Sequence, residues 1–214
     1  AGCAVPTADA AIGETMTGIR RTAAKNGFTP RRKAAATRDI LATIINAIDL
    51  SKLSGMRDRA LLLMGFYGAF RRSELASIEI HHVALISKGL LVTLPQSKGD
   101  RQGKGVEVAL PYTQDQYCPV KAYGAWLAAS GIQAGPIFRR VRKESTTTSH
   151  GDGRKIGHLP LTDRSIARII QNRAGAAGLN GKTFGGHSLK RGALTTGMDA
   201  GTHPVKLKRL ARHA

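Results

Sequence analysis

The sequence predicts a mostly helical α+β protein with a small β-sheet near its middle. Apolar residues recur at helical spacing before residue 78 and again after Pro119. Between Ile78 and Leu110 they alternate as in strands, around polar and glycine-rich turns. The 214 residues are enough for one sizeable domain with a fragment of another, or for two small domains. A hydrophobic content of 42% supports a core.

The predicted helices follow from their apolar faces and from the residues that begin and end them. Thr37 is a plausible N-cap, and the aliphatic residues after it share one helical face. The segment 57–67 is apolar nearly all round, so we expect it to be central. The other predicted helices are 8–25, a short one at 73–77, Pro119 to Gly131, Thr162 or Asp163 to Ala177, 187–200 and 204–213.

The β segment predicts three strands, at 79–85, 90–95 and 105–110. The polar stretch Q-S-K-G-D-R-Q-G-K-G lies between the last two strands and is expected to form a hairpin tip. Two further segments are predicted to lack regular structure. They are a basic, proline-containing linker at 28–36 and a polar loop at 143–157.

The charge of the chain predicts a polyanionic partner. Lysine and arginine outnumber aspartate and glutamate 33 to 14, which favours nucleic acid first and an anionic membrane second. No run of 18 apolar residues occurs and we expect no signal peptide, so no membrane-spanning segment is predicted. Cys3 and Cys118 are too few and too far apart for a disulfide framework or a zinc site. Two free thiols indicate a reducing, cytoplasmic compartment.

Three distant segments carry residues suited to phosphodiester chemistry. They are G-A-F-R-R-S-E-L at 68–75, the hairpin that contains Lys98, and G-G-H-S-L-K-R-G at 185–192. An arginine fork makes two hydrogen bonds to a phosphate and keeps its charge. A lysine can give up a proton to a departing oxygen when its surroundings lower its pKa. The set therefore predicts a site that holds a phosphodiester in transition.

The order and spacing of these segments resemble the catalytic core of the tyrosine recombinases, the phage-integrase family. A-F-R-R-S-E-L-A-S-I is similar to the family segment G-L-R-x-S-E-L-x-x-L. The resemblance covers roughly residues 30–214. It implies a mostly helical catalytic domain with a small three-stranded antiparallel sheet at 29–214. Residues 1–28 would then be the remnant of an N-terminal core-binding domain, its last helix with a linker.

The resemblance also implies a role for individual residues. Arg71 matches the first catalytic arginine, and Glu74 would steer an active-site side chain from the same helical face. Lys98 matches the catalytic lysine of the hairpin, with Lys104 as its rival in that loop. His187 matches the histidine that contacts the scissile phosphate. His213, 26 residues later, matches a second histidine that supports the transition state.

The segment after His187 departs from the family pattern His-x-x-Arg. The residue three positions on is Lys190, and the arginine comes one position later as Arg191. One residue is about 100° of helical turn, so the two side chains do not point the same way. Register favours Lys190 as the second catalytic cation. An offset of the helix start would favour Arg191, and both alternatives stay open at this point.

The implied reaction is site-specific strand exchange on double-stranded DNA through a 3′-phosphotyrosine intermediate. The family tyrosine is expected about nine residues after His213, past Ala214, so we expect a fragment without its nucleophile. The chain's own tyrosines are expected in the core or on the surface: Tyr67, Tyr112, Tyr117 and Tyr123. The resemblance implies assembly of a tetramer on DNA and no metal or other cofactor. A DNA-binding module with degenerate catalysis is the alternative, and type IB topoisomerases share the chemistry.

One competing motif predicts a nucleotide site. A-A-G-L-N-G-K-T at 176–183 fits the loose phosphate-binding-loop pattern, which needs a strand before it and a helix after it. The preceding residues have helical periodicity, so we interpret the match as fortuitous. His81 and His82 are expected on a strand, where neighbouring side chains point to opposite faces and cannot share a metal.

Overall fold

The computed structural model describes residues 10–28, 33–95, 105–142 and 156–212. The chain divides into two units, Ala1–Arg32 and Lys33–Ala214. The described part of the first unit is helix α1, Ala10–Lys25, which ends before Gly27 at a φ of 79°. The helix predicted at 8–25 is therefore confirmed over its described residues. Ile12, Met16 and Ile19 are exposed along this helix.

The described part of the second unit is mostly helical, with two small antiparallel sheets. Its elements in chain order are α2 Arg38–Asn46, α3 Leu53–Tyr67, α4 Arg72–Ser77, β1 Val83–Ile86, β2 Gly89–Leu94, β3 Val106–Pro111, α5 Pro119–Ser130, β4 Arg139–Val141, β5 Ile156–Pro160, α6 Asp163–Ala176, α7 Ser188–Asp199 and α8 Pro204–Ala211. Short 3₁₀ turns occupy Ile80–His82 and Gly181–Thr183.

Helix α3 lies at the centre of this unit, as its apolar sequence predicts. Leu61, Leu62, Leu63 and Met64 are fully buried on all sides of the helix. Around α3 pack α2, α4, α5 and α7. The helix begins four residues before the predicted start, because Gly55 lets its first turn lie directly against the Asp49 carbonyl. A β-carbon at Gly55 would be 1.9 Å from that oxygen.

The three-stranded sheet has the order β1-β2-β3 and is antiparallel throughout. Val92 of β2 is paired with Val83 on one side and with Val108 on the other. The predicted strand 79–85 is wrong in its first half, because residues 80–82 form a 3₁₀ turn. The His82 imidazole accepts the Glu79 amide at 3.1 Å and closes that turn. The rings of His81 and His82 lie 4.0 Å apart rather than on opposite faces.

The second sheet pairs β4 with β5 and was not predicted. Val141 is opposite Ile156, and Arg139 is opposite Pro160. The loop predicted at 143–157 is therefore wrong at its end, where Ile156 and Gly157 belong to β5; residues 143–155 lie outside the described part. A three-residue strand with two arginines has no alternating pattern of its own, so only its partner defines it.

Four smaller features complete the description of the fold. The G-K-T of the phosphate-loop motif is a 3₁₀ turn that follows helix α6, so the strand and helix that such a loop needs are missing there. Cys118 is a buried free thiol. Among the helices of the described residues, none is long and apolar enough to cross a membrane. The same residues hold no cluster of three or more His, Cys, Asp or Glu side chains that could bind a metal ion.

Candidate active site

Arg71 stands at the sharp turn between α3 and α4. It is the N-cap residue of α4, and the Glu74 carboxylate accepts hydrogen bonds from both its backbone and its side chain. The Arg71 amide donates to Glu74 Oε2 at 2.7 Å, and its guanidinium Nη1 donates to Glu74 Oε1 at 2.6 Å. The Arg71 side chain keeps 19% of its surface exposed. The turn therefore presents an oriented guanidinium that solvent can still reach.

Glu74 is 4% exposed and serves two arginines. Its Oε2 also accepts from Nη2 of Arg212 at 2.7 Å. Burial alone would raise the pKa of Glu74. The hydrogen bonds from the Arg71 amide and the Arg212 guanidinium outweigh burial and hold the pKa below its ordinary value. Glu74 is consequently ionised at neutral pH and fixes both guanidinium groups.

Arg212, the second arginine that binds Glu74, was not predicted from the sequence. It follows the last residue of α8, yet its side chain turns inward and contacts the turn before Arg71. No apolar periodicity marks a single arginine at the end of a helix. The one available signal was its position next to His213. We call Arg71, Glu74, Lys190 and Arg212 the Glu74 cluster.

The two cations of the H-S-L-K-R segment have different environments. Lys190 is 6% exposed, and its ammonium donates to the Ala211 carbonyl at the end of α8. Burial, together with the charges of Arg71 and Arg212, lowers the pKa of Lys190 to about 8, although Glu74 opposes the shift. Arg191 is exposed and donates to the backbone carbonyl of Lys33. The structure thus brings Lys190, and not Arg191, to Arg71.

His187 occupies the N-cap position of α7 and is exposed. Its backbone carbonyl accepts the Arg191 amide at 2.9 Å. The glycine before it is closely covered by a neighbouring side chain, since a β-carbon at Gly186 would lie 1.6 Å from Cδ of Arg72. The side chain of Arg72 therefore lies under the start of α7.

Several predicted site residues are not placed. Lys98, its rival Lys104 and His213 lie outside the described residues. The four tyrosines are described. Tyr117 donates its hydroxyl to Asn46 at 3.2 Å, and no hydrogen bond among the described residues joins any of the four to the Glu74 cluster.

A second buried group of charges lies near the other end of α3. Asp58 accepts from Nε and Nη2 of Arg57 at 2.8 and 2.6 Å, and from Nε of Arg173 at 2.7 Å. Arg57 also donates to the Arg139 carbonyl of β4 at 3.2 Å. We call Arg57, Asp58 and Arg173 the Asp58 cluster. It joins α3, α6 and β4.

A basic cavity of about 790 Å³ opens between the second sheet and α6. Arg57 of the Asp58 cluster lines one part of it, and Arg140, Arg142 and Arg168 line others. No acidic side chain is present among its described lining residues. The cavity is therefore suited to an anionic group.

Comparison with known proteins shows which proteins the chain is similar to. No protein-family model matches it. It is 34% identical over 209 residues to an integrase/recombinase XerD homolog from Selenomonas ruminantium, an alignment that covers 97% of this chain. The chain spans 58% of the length of that relative. Over that length it is similar to the tyrosine recombinases.

Solved tyrosine recombinases have the same fold. XerA recombinase aligns with a TM-score of 0.61 at 19% identity, over 87% of this chain and 57% of that protein. XerH recombinase bound to its difH substrate aligns with a TM-score of 0.63 at 16% identity, over 86% and 48%. A lambda integrase dimer on a core site gives 0.57 at 17% identity, over 87% and 46%. At these identities the likeness shows the fold, and the predicted mostly helical domain with a three-stranded antiparallel sheet is confirmed.

Proposed function

We propose that this protein is a site-specific DNA recombinase that cleaves and rejoins double-stranded DNA through a 3′-phosphotyrosine intermediate. One observation carries the proposal. Arg71 and Lys190 come from segments 119 positions apart, yet the fold brings them close enough for the charge of Arg71 to lower the pKa of Lys190, while Arg71 is bonded to a buried carboxylate and stays open to solvent. Such a pair of cations, held before any ligand arrives, suits a phosphate whose charge grows in the transition state.

Each site residue has its own role in the proposed reaction. Arg71 holds two phosphate oxygens through its fork, while Glu74 keeps the fork in place. Lys190 supplies the second positive charge in place of the family arginine, and Arg191 anchors the segment at Lys33 instead. Lys98 protonates the departing 5′-oxygen. His187 and His213 complete the phosphate contacts.

The nucleophile we propose is a tyrosine of the complete gene product other than the four tyrosines of this sequence. We further propose that α1 belongs to a core-binding domain and that the protein acts in the cytoplasm. A tetramer on DNA is the proposed assembly; one solved neighbour is a lambda integrase tetramer bound to a Holliday junction.

A covalent-adduct assay tests the proposal. The complete gene product is incubated with labelled, nicked DNA that traps the intermediate, and the products are separated by denaturing electrophoresis. We expect a covalent band that disappears when the proposed tyrosine is changed to phenylalanine. We expect no band from residues 1–214 alone. A band from the 214-residue chain would mean that one of its own tyrosines is the nucleophile.

The second candidate is a DNA-binding module with degenerate catalysis. The lysine at position 190 favours it, because an ammonium lacks the two-pronged geometry of the family arginine. The assay above separates the two functions. Tight DNA binding by the complete gene product without a covalent band, at every pH between 6 and 9, would establish the binding module instead.

A further inference from the structure

Arg212 occupies a backbone conformation that side chains rarely adopt. Its φ and ψ are 51° and 45°, in the left-handed region where a β-carbon is crowded. Among the described residues, Ala69 is the other non-glycine with a positive φ, at 44°. Nη2 of Arg212 donates to the Ala69 carbonyl at 2.7 Å. The two strained positions are therefore tied to each other, next to Arg71. Strain of this kind is characteristic of functional sites.

The Arg212 side chain makes its hydrogen bonds inside the protein, through Nη1 and Nη2. Nη1 donates to the carbonyls of Gly68 and Leu210, both at 3.0 Å, and Nη2 reaches Glu74 as well as Ala69. The guanidinium carbon lies 5.2 Å from the centre of the Phe70 ring. With 4% of its side chain exposed, Arg212 cannot approach a phosphate on the surface. Its charge acts on Glu74 and on the turn between α3 and α4.

The backbone beside Arg212 faces the two candidate phosphate-binding cations. The Arg212 carbonyl accepts from Nη2 of Arg71 at 3.3 Å. The Ala211 carbonyl accepts from the Lys190 ammonium. The side chain of Arg212 thus fastens the end of α8 to the turn before Arg71, and the carbonyls of that same end hold Arg71 and Lys190.

We infer that Arg212 is a positioning residue of the cleavage site: it fastens the end of α8 across the turn before Arg71 and so sets where Arg71 and Lys190 lie. The inference rests on the proposed function for its catalytic consequence. A salt bridge to Glu74 alone needs neither the left-handed backbone nor the bonds to Gly68 and Ala69. A fork that spans the carboxylate and two carbonyls requires arginine, because a lysine presents all three of its N–H donors from a single nitrogen.

The catalytic test uses three variants of the complete gene product. Arg212→Gly removes the side chain and relieves the backbone strain, Arg212→Lys keeps the charge without the fork, and Arg209→Ala changes an exposed arginine on the same helix. We expect the single-turnover cleavage rate on saturating DNA to fall on the order of 100-fold for Gly and 10-fold for Lys, and to stay unchanged for Arg209→Ala. The dissociation constant for DNA should change less than about threefold, since Arg212 is buried.

A second measurement does not depend on cleavage. In the 214-residue chain, the Lys190 side chain is titrated by NMR in the wild type, Arg212→Gly, Arg212→Lys and Arg209→Ala. In Arg212→Gly the pKa of Lys190 should rise from about 8 toward 10.5, because water reaches the ammonium and the charge of Arg212 is lost. A rise that persists in Arg212→Lys, which keeps the charge, reports the release of the end of α8, and Arg209→Ala should show no rise. Urea unfolding checks that each variant is folded; if Arg212→Gly is not, Arg212→Lys replaces it in both assays.

The outcomes separate the two proposals. Wild-type cleavage with normal rates in the Arg212 variants overturns the positioning role and leaves the recombinase function standing. No cleavage by the wild type overturns the function, and the Lys190 titration then decides the positioning role by itself. An unchanged Lys190 titration in Arg212→Gly overturns it in either case.

Discussion

Two buried carboxylates of this protein each lie between two arginines, yet the surroundings of the two are different. In the Asp58 cluster, Arg57 and Arg173 meet one aspartate that joins α3 to α6. In the Glu74 cluster, Arg71 and Arg212 bind one glutamate, and Lys190 lies close enough for all three charges to act on its pKa. Asp58 is 3% exposed and Glu74 is 4% exposed, so burial does not distinguish them.

The difference lies in the third cation. Solvent exposure does not set the clusters apart, because Arg173 keeps 22% of its side chain exposed and Arg71 keeps 19%. In the Glu74 cluster, burial and the like charges of Arg71 and Arg212 lower the pKa of Lys190. A phosphate would relieve that repulsion. Similar residue types thus connect elements of the fold in one place and prepare an anion site in the other.

The largest expected effect is on catalysis at Arg71. Arg71→Ala in the complete gene product should lower the cleavage rate on the order of 10⁴-fold, because few groups meet the charge that develops on the phosphate. DNA affinity should fall only modestly, since many surface cations share ground-state binding. Single-turnover cleavage of a nicked substrate measures the rate.

Arg72→Ala is the matched control for Arg71. Arg72 lies under Gly186 and away from the Glu74 carboxylate bonds, so its loss should be much milder. Equal losses at the two positions would show that the assignment of the catalytic arginine is wrong.

The second effect concerns stability and should be confined to the Asp58 cluster. Asp58→Ala leaves the buried Arg57 and the partly exposed Arg173 without their carboxylate, which should lower the free energy of unfolding by about 3–5 kcal/mol. Urea denaturation measures this, with the exposed Asp199→Ala as control at less than about 0.5 kcal/mol. The folded fraction of Asp58→Ala should cleave at the wild-type rate. A catalytic loss as large as that of Arg71→Ala would contradict the prediction that the Asp58 cluster acts only on stability.

The third effect is a pH dependence that only the Glu74 cluster should show. The folded pKa of Lys190, about 8, lies below its ordinary 10.5, so the cost of burying the charged form is fully present below pH 8. That cost disappears as pH rises to 10.5. Relative to Lys190→Met, the free energy of unfolding should therefore rise by about 3 kcal/mol at most between pH 8 and 10.5.

Urea titrations at several pH values measure the Lys190 effect, and Arg191→Met serves as the control. Arg191 is exposed and bonds to the Lys33 carbonyl rather than to the Glu74 cluster, so the control should keep the wild-type pH dependence. Parallel curves for the wild type and Lys190→Met would contradict the depressed pKa.

The smallest effect concerns the basic cavity beside the Asp58 cluster. If its arginines contact DNA phosphates, Arg142→Ala should reduce the slope of log affinity against log salt by about 0.9 for each phosphate that Arg142 neutralises. Gel-shift titrations at several salt concentrations measure the slope, with the exposed Lys88→Ala as control. An unchanged slope in Arg142→Ala would mean that DNA does not contact this cavity. Wild-type binding that does not depend on salt would contradict a nucleic-acid partner altogether.

The features of this protein that depend on local spacing could be predicted from the sequence. An apolar segment with no polar face had to be central, and α3 is. A cation and a carboxylate three residues apart at a helix start could meet without help from the rest of the chain, and Arg71 and Glu74 do. The alternating segment after Ile78 predicted three strands, although the turn at residues 80–82 displaced the start of the first. These features depend on neighbours along the chain, which the sequence displays.

The tertiary structure decided what depends on distant residues. Arg212 meets Glu74 across 138 positions, and its hydrogen bonds to Gly68 and Ala69 span as much of the chain. The choice between Lys190 and Arg191 was a matter of about 100° of helical rotation, and the packing of α7 against Ala36 and α3 set that angle. Strand β4 exists because β5 pairs with it. No local pattern encodes such contacts, because their free energy comes from partners that only the folded chain brings together.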